Sequence, residues 1–220
     1  MSDDGRPGST ATLARSPIAP PQPRAEHSGW EVSARRSTAA LTITDLTPLA
    51  KIAVRAPVDG AVQGALGVPF GRAARDTAPG LDGALVIGSG PGEWLVLALP
   101  GTAAGVRRAV ETIVSGTGEF ASAVDLTHGR ALVRLRGEAS SALLAKVCAV
   151  DLCDAVTPDG AAFRSSVARL VTDVVRDDAG GIRSYLLHCE RSSGQYLYDA
   201  LLDAGAEFGI DGDGFTAPGI

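Results

Sequence analysis

Two runs of apolar β-formers, Ala84-Leu85-Val86-Ile87 and Trp94-Leu95-Val96-Leu97-Ala98-Leu99, flank Gly88-Ser89-Gly90-Pro91-Gly92, and this juncture limits the fold more than any other stretch of the chain. A glycine-rich break of this kind between two such runs predicts an antiparallel hairpin with a longer turn. The same letters invite comparison with a phosphate-binding loop, but Glu93 holds the place of a third glycine and a strand follows it. A phosphate loop needs a helix N-terminus there to present its N–H groups, so the hairpin turn is the preferred reading.

Around the hairpin the elements recur in one order. Ala50 to Arg55 predicts a strand, and Pro57 through Leu66 a short helix opened by proline. After the hairpin, Ala103 to Val114 sets Val106, Val110, Ile113 and Val114 on one helical face, and Ala121 to Leu126 predicts another strand. The series restarts with a strand at Ala131 to Leu135 and a helix from Glu138 to Val147, with Ala142, Leu143 and Val147 along one side. Strands at Ser166 to Val175 and Ile182 to Cys189 follow, joined by the turn Asp177 to Gly181. A helix from Ser193 to Ala204 has Ser193 as its cap candidate and Gly205 as its stop, and Ala206 to Ile210 reads as a last edge strand.

Two successive β-α-β-β-α-β units predict an α+β protein of two tandem ferredoxin-like units packed together. The first lobe is expected over residues 38–128 and the second over 129–220. Ahead of them, residues 1–37 are rich in Pro, Ser, Gly and Ala without apolar periodicity, which predicts a disordered tail. Within it, Arg15-Ser16-Pro17-Ile18 is the stretch suited to docking on a partner, and Trp30 reads as an interaction aromatic.

Charge narrows the function classes. Twenty Lys and Arg stand against 25 Asp and Glu, a net charge of −5, and no basic cluster is present. A nucleic-acid or anionic-membrane binder needs a dense positive patch, so neither partner is expected. No apolar run approaches the ~20 residues of a membrane span, and the first thirty residues hold no apolar signal core. Three cysteines are too few for a disulfide framework, which points to a reducing, cytoplasmic setting.

Candidate chemistry is sparse. Cys148 and Cys153 lie five apart at a helix end, with Cys189 elsewhere, a spacing that suits core packing better than a zinc knuckle. Asp125-Leu126-Thr127-His128-Gly129-Arg130 gathers polar residues between strands, and a histidine beside a carboxylate suits a general base. No nucleophile accompanies it, so a turn with Arg130 meeting a neighbouring carboxylate is preferred. Arg191 sits where a strand passes into a helix, as a binding or ion-paired residue. Asp211-Gly212-Asp213-Gly214 lacks the terminal acid of a calcium loop and reads as a loose terminus. Trp94 is expected as a core or interlobe anchor. No catalytic, cofactor or metal set is complete, and Trp94, Asp125, His128, Arg130 and Arg191 are kept as interface or polar-pocket candidates.

The run Val124 to Gly137, followed by Leu144-Ala145-Lys146-Val147-Cys148-Ala149-Val150-Asp151-Leu152, resembles the gamma subunit of heterotetrameric sarcosine oxidase. Gly92 to Leu97, Phe163-Arg164-Ser165-Ser166-Val167, Glu190-Arg191-Ser192 and Tyr196-Leu197 are similar to that family in order and spacing, and so is Arg15-Ser16-Pro17. The resemblance covers about Asp45 to Ile210, with Val147 standing where glycine is expected. It implies a subunit without chemistry of its own, related in fold to the folate-binding aminomethyltransferases. Alpha, beta and delta partners would carry FAD, FMN, NAD, zinc and tetrahydrofolate, and the complex would oxidatively demethylate sarcosine to glycine, using oxygen and passing the one-carbon unit to tetrahydrofolate. A free-standing folate-binding, aminomethyltransferase-like protein is the alternative; it needs a polar pocket between the lobes, with Asp125 and Arg191 the residues to inspect.

Overall fold

The computed structural model describes residues 12–217, and the expected tail falls partly within them. Residues 1–11 lie outside the described residues, but the rest of that segment is ordered. β1 (Ala14–Arg15), β2 (Arg24–His27) and β3 (Trp30–Ser33) form a small sheet in the order β1-β3-β2. Few apolar residues suffice, because each is deeply placed: Ile18 is fully buried in the core of the second lobe, and Trp30 and Val32 are buried between the two larger sheets. The stretch expected to dock on a partner docks instead on its own chain. The Ala19 N–H donates to Gln195 Oε1 (2.7 Å), Arg191 donates to the Arg15 carbonyl, and Pro17 packs so closely that a Cβ on Gly194 would meet its Cγ at 2.8 Å.

β4 (Thr42–Asp45), which the pattern did not anticipate, leads to β5 (Ala50–Arg55) and the elements of the first lobe. These are α1 (Ala61–Leu66), β6 (Ala73–Arg75), β7 (Leu85–Gly90), β8 (Glu93–Ala98), α2 (Ala103–Ser115) and β9 (Ser122–Asp125). They make a five-stranded sheet in the order β6-β7-β8-β5-β9, with β7 and β8 the expected hairpin. Gly92 turns it at φ 69, where a Cβ would meet the Ala56 carbonyl at 2.4 Å, so no other residue fits.

The second lobe runs β10 (Arg130–Arg136), α3 (Ser140–Ala145), β11 (Ala162–Val167), β12 (Leu170–Arg176), β13 (Ser184–Glu190), α4 (Gly194–Gly205) and β14 (Asp211–Asp213). Its six-stranded sheet has the order β11-β12-β13-β10-β4-β14. The strand expected over Ser166 to Val175 is a hairpin instead, reversing at Ala168 and Arg169 with φ 47 and 68, a conformation that neither residue type advertises. The last strand is not at Ala206 to Ile210, where Ala206–Phe208 makes a 3₁₀ turn, but at Asp211–Asp213, parallel to β4. Ser193 makes no capping bond either; a 3₁₀ turn over Arg191–Ser193 leads into α4. The place beside β10 therefore belongs to β4, from ahead of every strand of the first sheet, so the second sheet is not a repeat of the first.

Helices cover the outer faces. Val62, Leu66, Val110 and Val114 pack on Ile52, Val54 and Val96, while Leu143, Leu144, Leu197 and Leu201 pack on Val133 and Leu187. The inner faces meet through Leu85, Ile87, Leu95 and Leu97 against Leu132, Val175 and Leu186. Each such side chain contributes about 1.5–3 kcal/mol by leaving water. One edge is closed by backbone bonds from Ala73 N to Gly160 O (2.8 Å) and Ala162 N to Gly71 O (3.0 Å). Nearby, Asp177 takes Arg75 at 2.7 Å and Arg134 at 2.7 Å, binding the two sheets through one carboxylate. Burial opposes its ionisation, but the two guanidiniums hold its pKa below the ordinary value.

The chain passes between the sheets twice, and Lys51 ties both passages. Its buried Nζ donates to the carbonyls of Thr47 (2.6 Å) and Leu49 (2.9 Å) on the outward passage and Thr127 (3.4 Å) on the return. Burial pulls its pKa down to about 7. The unfolded lysine keeps its proton to the ordinary 10.5, so between about 7 and 10.5 the unfolded chain binds more protons. Stability from this group therefore rises with pH across that window. Denaturant midpoints measured over it are expected to climb more steeply for the wild type than for Lys51→Met, which also loses about 1–3 kcal/mol through its undonated carbonyls. Equal slopes would remove the buried-amine account.

Glycine positions give a second check. A Cβ on Gly194 would stand 2.6 Å from Ala131 Cβ, whereas one on Gly105 in α2 meets nothing within 4 Å. Gly194→Ala is expected to destabilise by about 1–3 kcal/mol through overpacking. Gly105→Ala is expected to stabilise by about 0.5–1 kcal/mol, both read from urea midpoints.

Candidate functional site

At one end of the sandwich the inner faces part into a cleft of about 440 Å³. Strand alternation explains its lining. On β5 the residues of one parity, Ile52 and Val54, face the helices, which turns Lys51, Ala53 and Arg55 toward the opposite sheet. Ala53 and Arg55 border the cleft, with Glu93 and Leu95 of β8 beside them and Val124 of β9 at the rim. The other wall comes from Arg130 on β10, Arg164 on β11, Asp173 on β12 and His188 on β13.

The charged side chains of the cleft form one chain of contacts. Arg55 meets Glu93 at 3.1 Å, Glu93 meets Arg164 at 3.3 Å across the two sheets, and Arg164 meets Asp173 at 2.6 Å. Asp173 then holds His188 Nδ1 at 3.3 Å. Burial opposes ionisation of Asp173, but His188 and Arg164 keep its pKa below the ordinary value. Burial also lowers the pKa of His188 despite that carboxylate, which leaves the ring neutral. With its proton on Nδ1 toward Asp173, Nε2 is a bare acceptor, and this buried atom has no hydrogen-bond partner among the described residues. The inner end of the cleft thus offers one unused hydrogen-bond acceptor, while each of its arginines already faces a carboxylate.

The sequence candidates divide between two places. Trp94 borders the cleft but is buried, its indole N–H donating to the Val68 carbonyl at 2.8 Å. Arg130 lines the wall and pairs with Glu190 at 2.6 Å. Asp125, His128 and Arg191 gather at the return passage instead. The exposed Asp125 accepts from the Thr127 N–H at 2.8 Å, capping the turn. His128 stacks flat on Trp30 (4.7 Å, 9°), so Trp30 fills a seam in its own chain rather than meeting a partner. Arg191 donates to the His128 carbonyl at 3.4 Å and to that of Arg15, joining the N-terminal segment to the passage. Asp125 and Arg191 therefore do not form the interlobe pocket for which they were candidates.

Sequence reasoning missed Arg55, Glu93, Arg164, Asp173 and His188. Their one signal is a charged or titratable residue within a strand, and it assigns no partners. The cysteines are dispersed: Cys148 and Cys189 are buried thiols and Cys153 is exposed. Burial pushes the Cys189 thiol up to about 11. Among the described residues no group of three or more His, Cys, Asp or Glu is placed to hold a metal ion, and no helix is long and apolar enough to cross a membrane.

No family model matches the chain, and no curated protein matches it. Solved structures do. A chain of the heterotetrameric sarcosine oxidase from Corynebacterium sp. U-96, in complex with pyrrole 2-carboxylate, superposes with a TM-score of 0.65 at 23% identity, over 80% of this chain and 89% of that one. The glycine cleavage system aminomethyltransferase T from Bartonella henselae superposes with a TM-score of 0.67 at 17% identity over 87% of this chain; the chain spans 55% of that protein's length. The two-sheet sandwich with its outer helices is thus a fold shared with a chain of heterotetrameric sarcosine oxidase and with aminomethyltransferase T.

Proposed function

We propose that this chain is a structural gamma-type subunit of a sarcosine oxidase complex, serving assembly rather than chemistry. The observation that carries the reading is the superposition on nearly the whole of one chain of such an oxidase. In this reading alpha and beta partners hold FAD, FMN, NAD and tetrahydrofolate and a delta partner holds zinc. The complex oxidatively demethylates sarcosine to glycine, with its flavins taking the two electrons and oxygen accepting them, and passes the one-carbon unit to tetrahydrofolate. Leaving aside the short edge strand β6, the first-lobe strands β5, β7, β8 and β9 stand in the order 2-3-1-4, which supports a ferredoxin-like arrangement for that half.

The cleft supports a second reading, a folate-binding protein that acts alone. His188 Nε2 would accept a ligand N–H, and the apolar Ala53, Leu95 and Val124 would lie along a flat ring. No reaction step follows from these residues.

One preparation separates the two. A tag on this chain, recovered from cells grown on sarcosine, is expected to bring down a large yellow complex with flavin absorption bands. The lone chain is then expected to show no saturable response to tetrahydrofolate by calorimetry. A colourless chain that elutes alone and binds tetrahydrofolate, with His188→Ala weakening that binding about tenfold or more, would replace the first reading by the second.

A further inference from the structure

We infer that the outer edge of β9, with Phe120 beside it, is where an extended strand of a partner chain joins the first sheet; this rests on the assembly reading above. β9 ends its sheet and pairs only with β5. The Leu126 N–H donates to the Lys51 carbonyl at 2.8 Å, which sets the phase of the ladder. By alternation Ser122 and Val124 also face β5, and the N–H and C=O groups of Ala123 and Asp125 point outward. Among the described residues nothing bonds to them.

The other ends of the two large sheets are covered by the chain itself. β6 bonds to Gly160, and β11 is held at both ends, by Gly71 and by the Ala168 N–H donating to the Val147 carbonyl. The region of β14 is covered by residues 33–37, through Gly214 N to Arg35 O (3.0 Å) and Phe215 N to Ser33 O (2.9 Å). Among the described residues β9 presents an open ladder, without the lysine, proline or bulge that ordinarily guards one.

Apolar side chains stand exposed here. Phe120, two residues before β9, is 94% exposed, the most exposed large apolar side chain among the described residues, and Val124 on β9 is 51% exposed. Phe120 does not sit on a loose loop. Its neighbour Glu119 accepts from the N–H groups of Ala61 (2.7 Å) and Val62 (3.0 Å), which pins the loop to the start of α1. Gly60 leaves the space for that carboxylate, since a Cβ there would meet Glu119 Oε1 at 2.4 Å. An exposed aromatic on a pinned loop, beside an open ladder, specifies the occupant's chemistry: a strand to supply alternating donors and acceptors, and an apolar pocket to receive the ring. A second copy of this chain fits less well. Paired antiparallel about Val124, it would set Phe120 opposite the exposed His128 turn and offer no pocket.

The test uses the tagged full chain and the complex it brings down from sarcosine-grown cells. Hydrogen exchange is read over residues 121–126 in the free chain and in the complex, and Phe120→Asp and Ala123→Pro are prepared alongside. Proline at 123 removes an outward N–H and leaves the bonds to β5 intact. The expected result is protection of this segment in the complex alone, with each variant lowering recovery of the complex about tenfold while melting like the wild type. A complex that forms with segment 121–126 still exchanging freely, and that tolerates both variants, overturns this docking site and leaves the assembly reading standing. A chain that elutes alone defeats both. A dimer of the lone chain dispersed by Phe120→Asp would assign the edge to a second copy and overturn the partner strand.

Discussion

The pairing of β4 with β10 governs the architecture. Four residues, Thr42–Asp45, lie antiparallel to β10 in the register Ile43 to Leu135 and Thr44 to Arg134, with β14 parallel on their other side. Because β4 precedes every strand of the first sheet, the second sheet is complete only when an early segment of the chain meets its middle. Loop closure of that length is entropically costly, and it is offset by the burial of Ile43 and Leu135 in one core. The two sheets are therefore interlocked by topology, and neither lobe is a separable unit. The two passages between sheets become obligatory, which is why a buried amine that satisfies carbonyls from both can sit at their meeting point.

Interlocking also fixes how the inner faces meet. One part is apolar, built from leucines of β7, β8, β10 and β13, and needs no orientation beyond close packing. The other carries charges, and these specify register. Glu93 to Arg164 and Arg75 to Asp177 each join one sheet to the other. Buried or half-buried ion pairs give little net stability once desolvation is counted, but a mismatched pairing would strand a charge. The apolar contacts supply the energy of the sandwich, and the polar contacts exclude its alternatives. The N-terminal segment completes the arrangement by laying Trp30 on His128 and Ile18 into the second core.

Local signals in the sequence suffice where one residue pattern dictates one element. The 85–98 hairpin follows from two apolar runs around Gly88 to Gly92, and α2 from the spacing of Val106, Val110, Ile113 and Val114, of which Val110 and Val114 are buried. The misreadings share a physical cause: the deciding partner is remote. Thr42 to Asp45 carries too short an alternation to announce a strand, and it becomes one because β10 and β14 flank it. The residues of the N-terminal segment have a coil's composition, yet single anchors such as Ile18 reach pockets made by elements far along the chain. The hairpin at Ala168 and Arg169 lacks glycine or asparagine, so turn chemistry could not reveal it. In the site, Trp94 and Arg130 were accessible to sequence reasoning, while the Arg55, Glu93, Arg164, Asp173 and His188 chain exists only through cross-sheet juxtaposition.

That juxtaposition bears on how one fold serves different ends. A cleft that binds a charged small molecule keeps cationic groups unspent, so that the ligand's arrival gains contacts rather than exchanging them. In this cleft Arg130 faces Glu190 and Arg164 is shared between Glu93 and Asp173, with Asp173 also holding His188. Only Arg55, paired at the surface and 73% exposed, is cheaply released, since exposed pairs are worth less than about 1 kcal/mol. A ligand entering here would have to displace interactions that also set the alignment of the two sheets. The polar half of the interface is thus committed to holding the sandwich together, with the His188 Nε2 the exception. Among the described residues, unspent backbone capacity lies elsewhere, on the open ladder of β9 with the exposed Phe120 beside it.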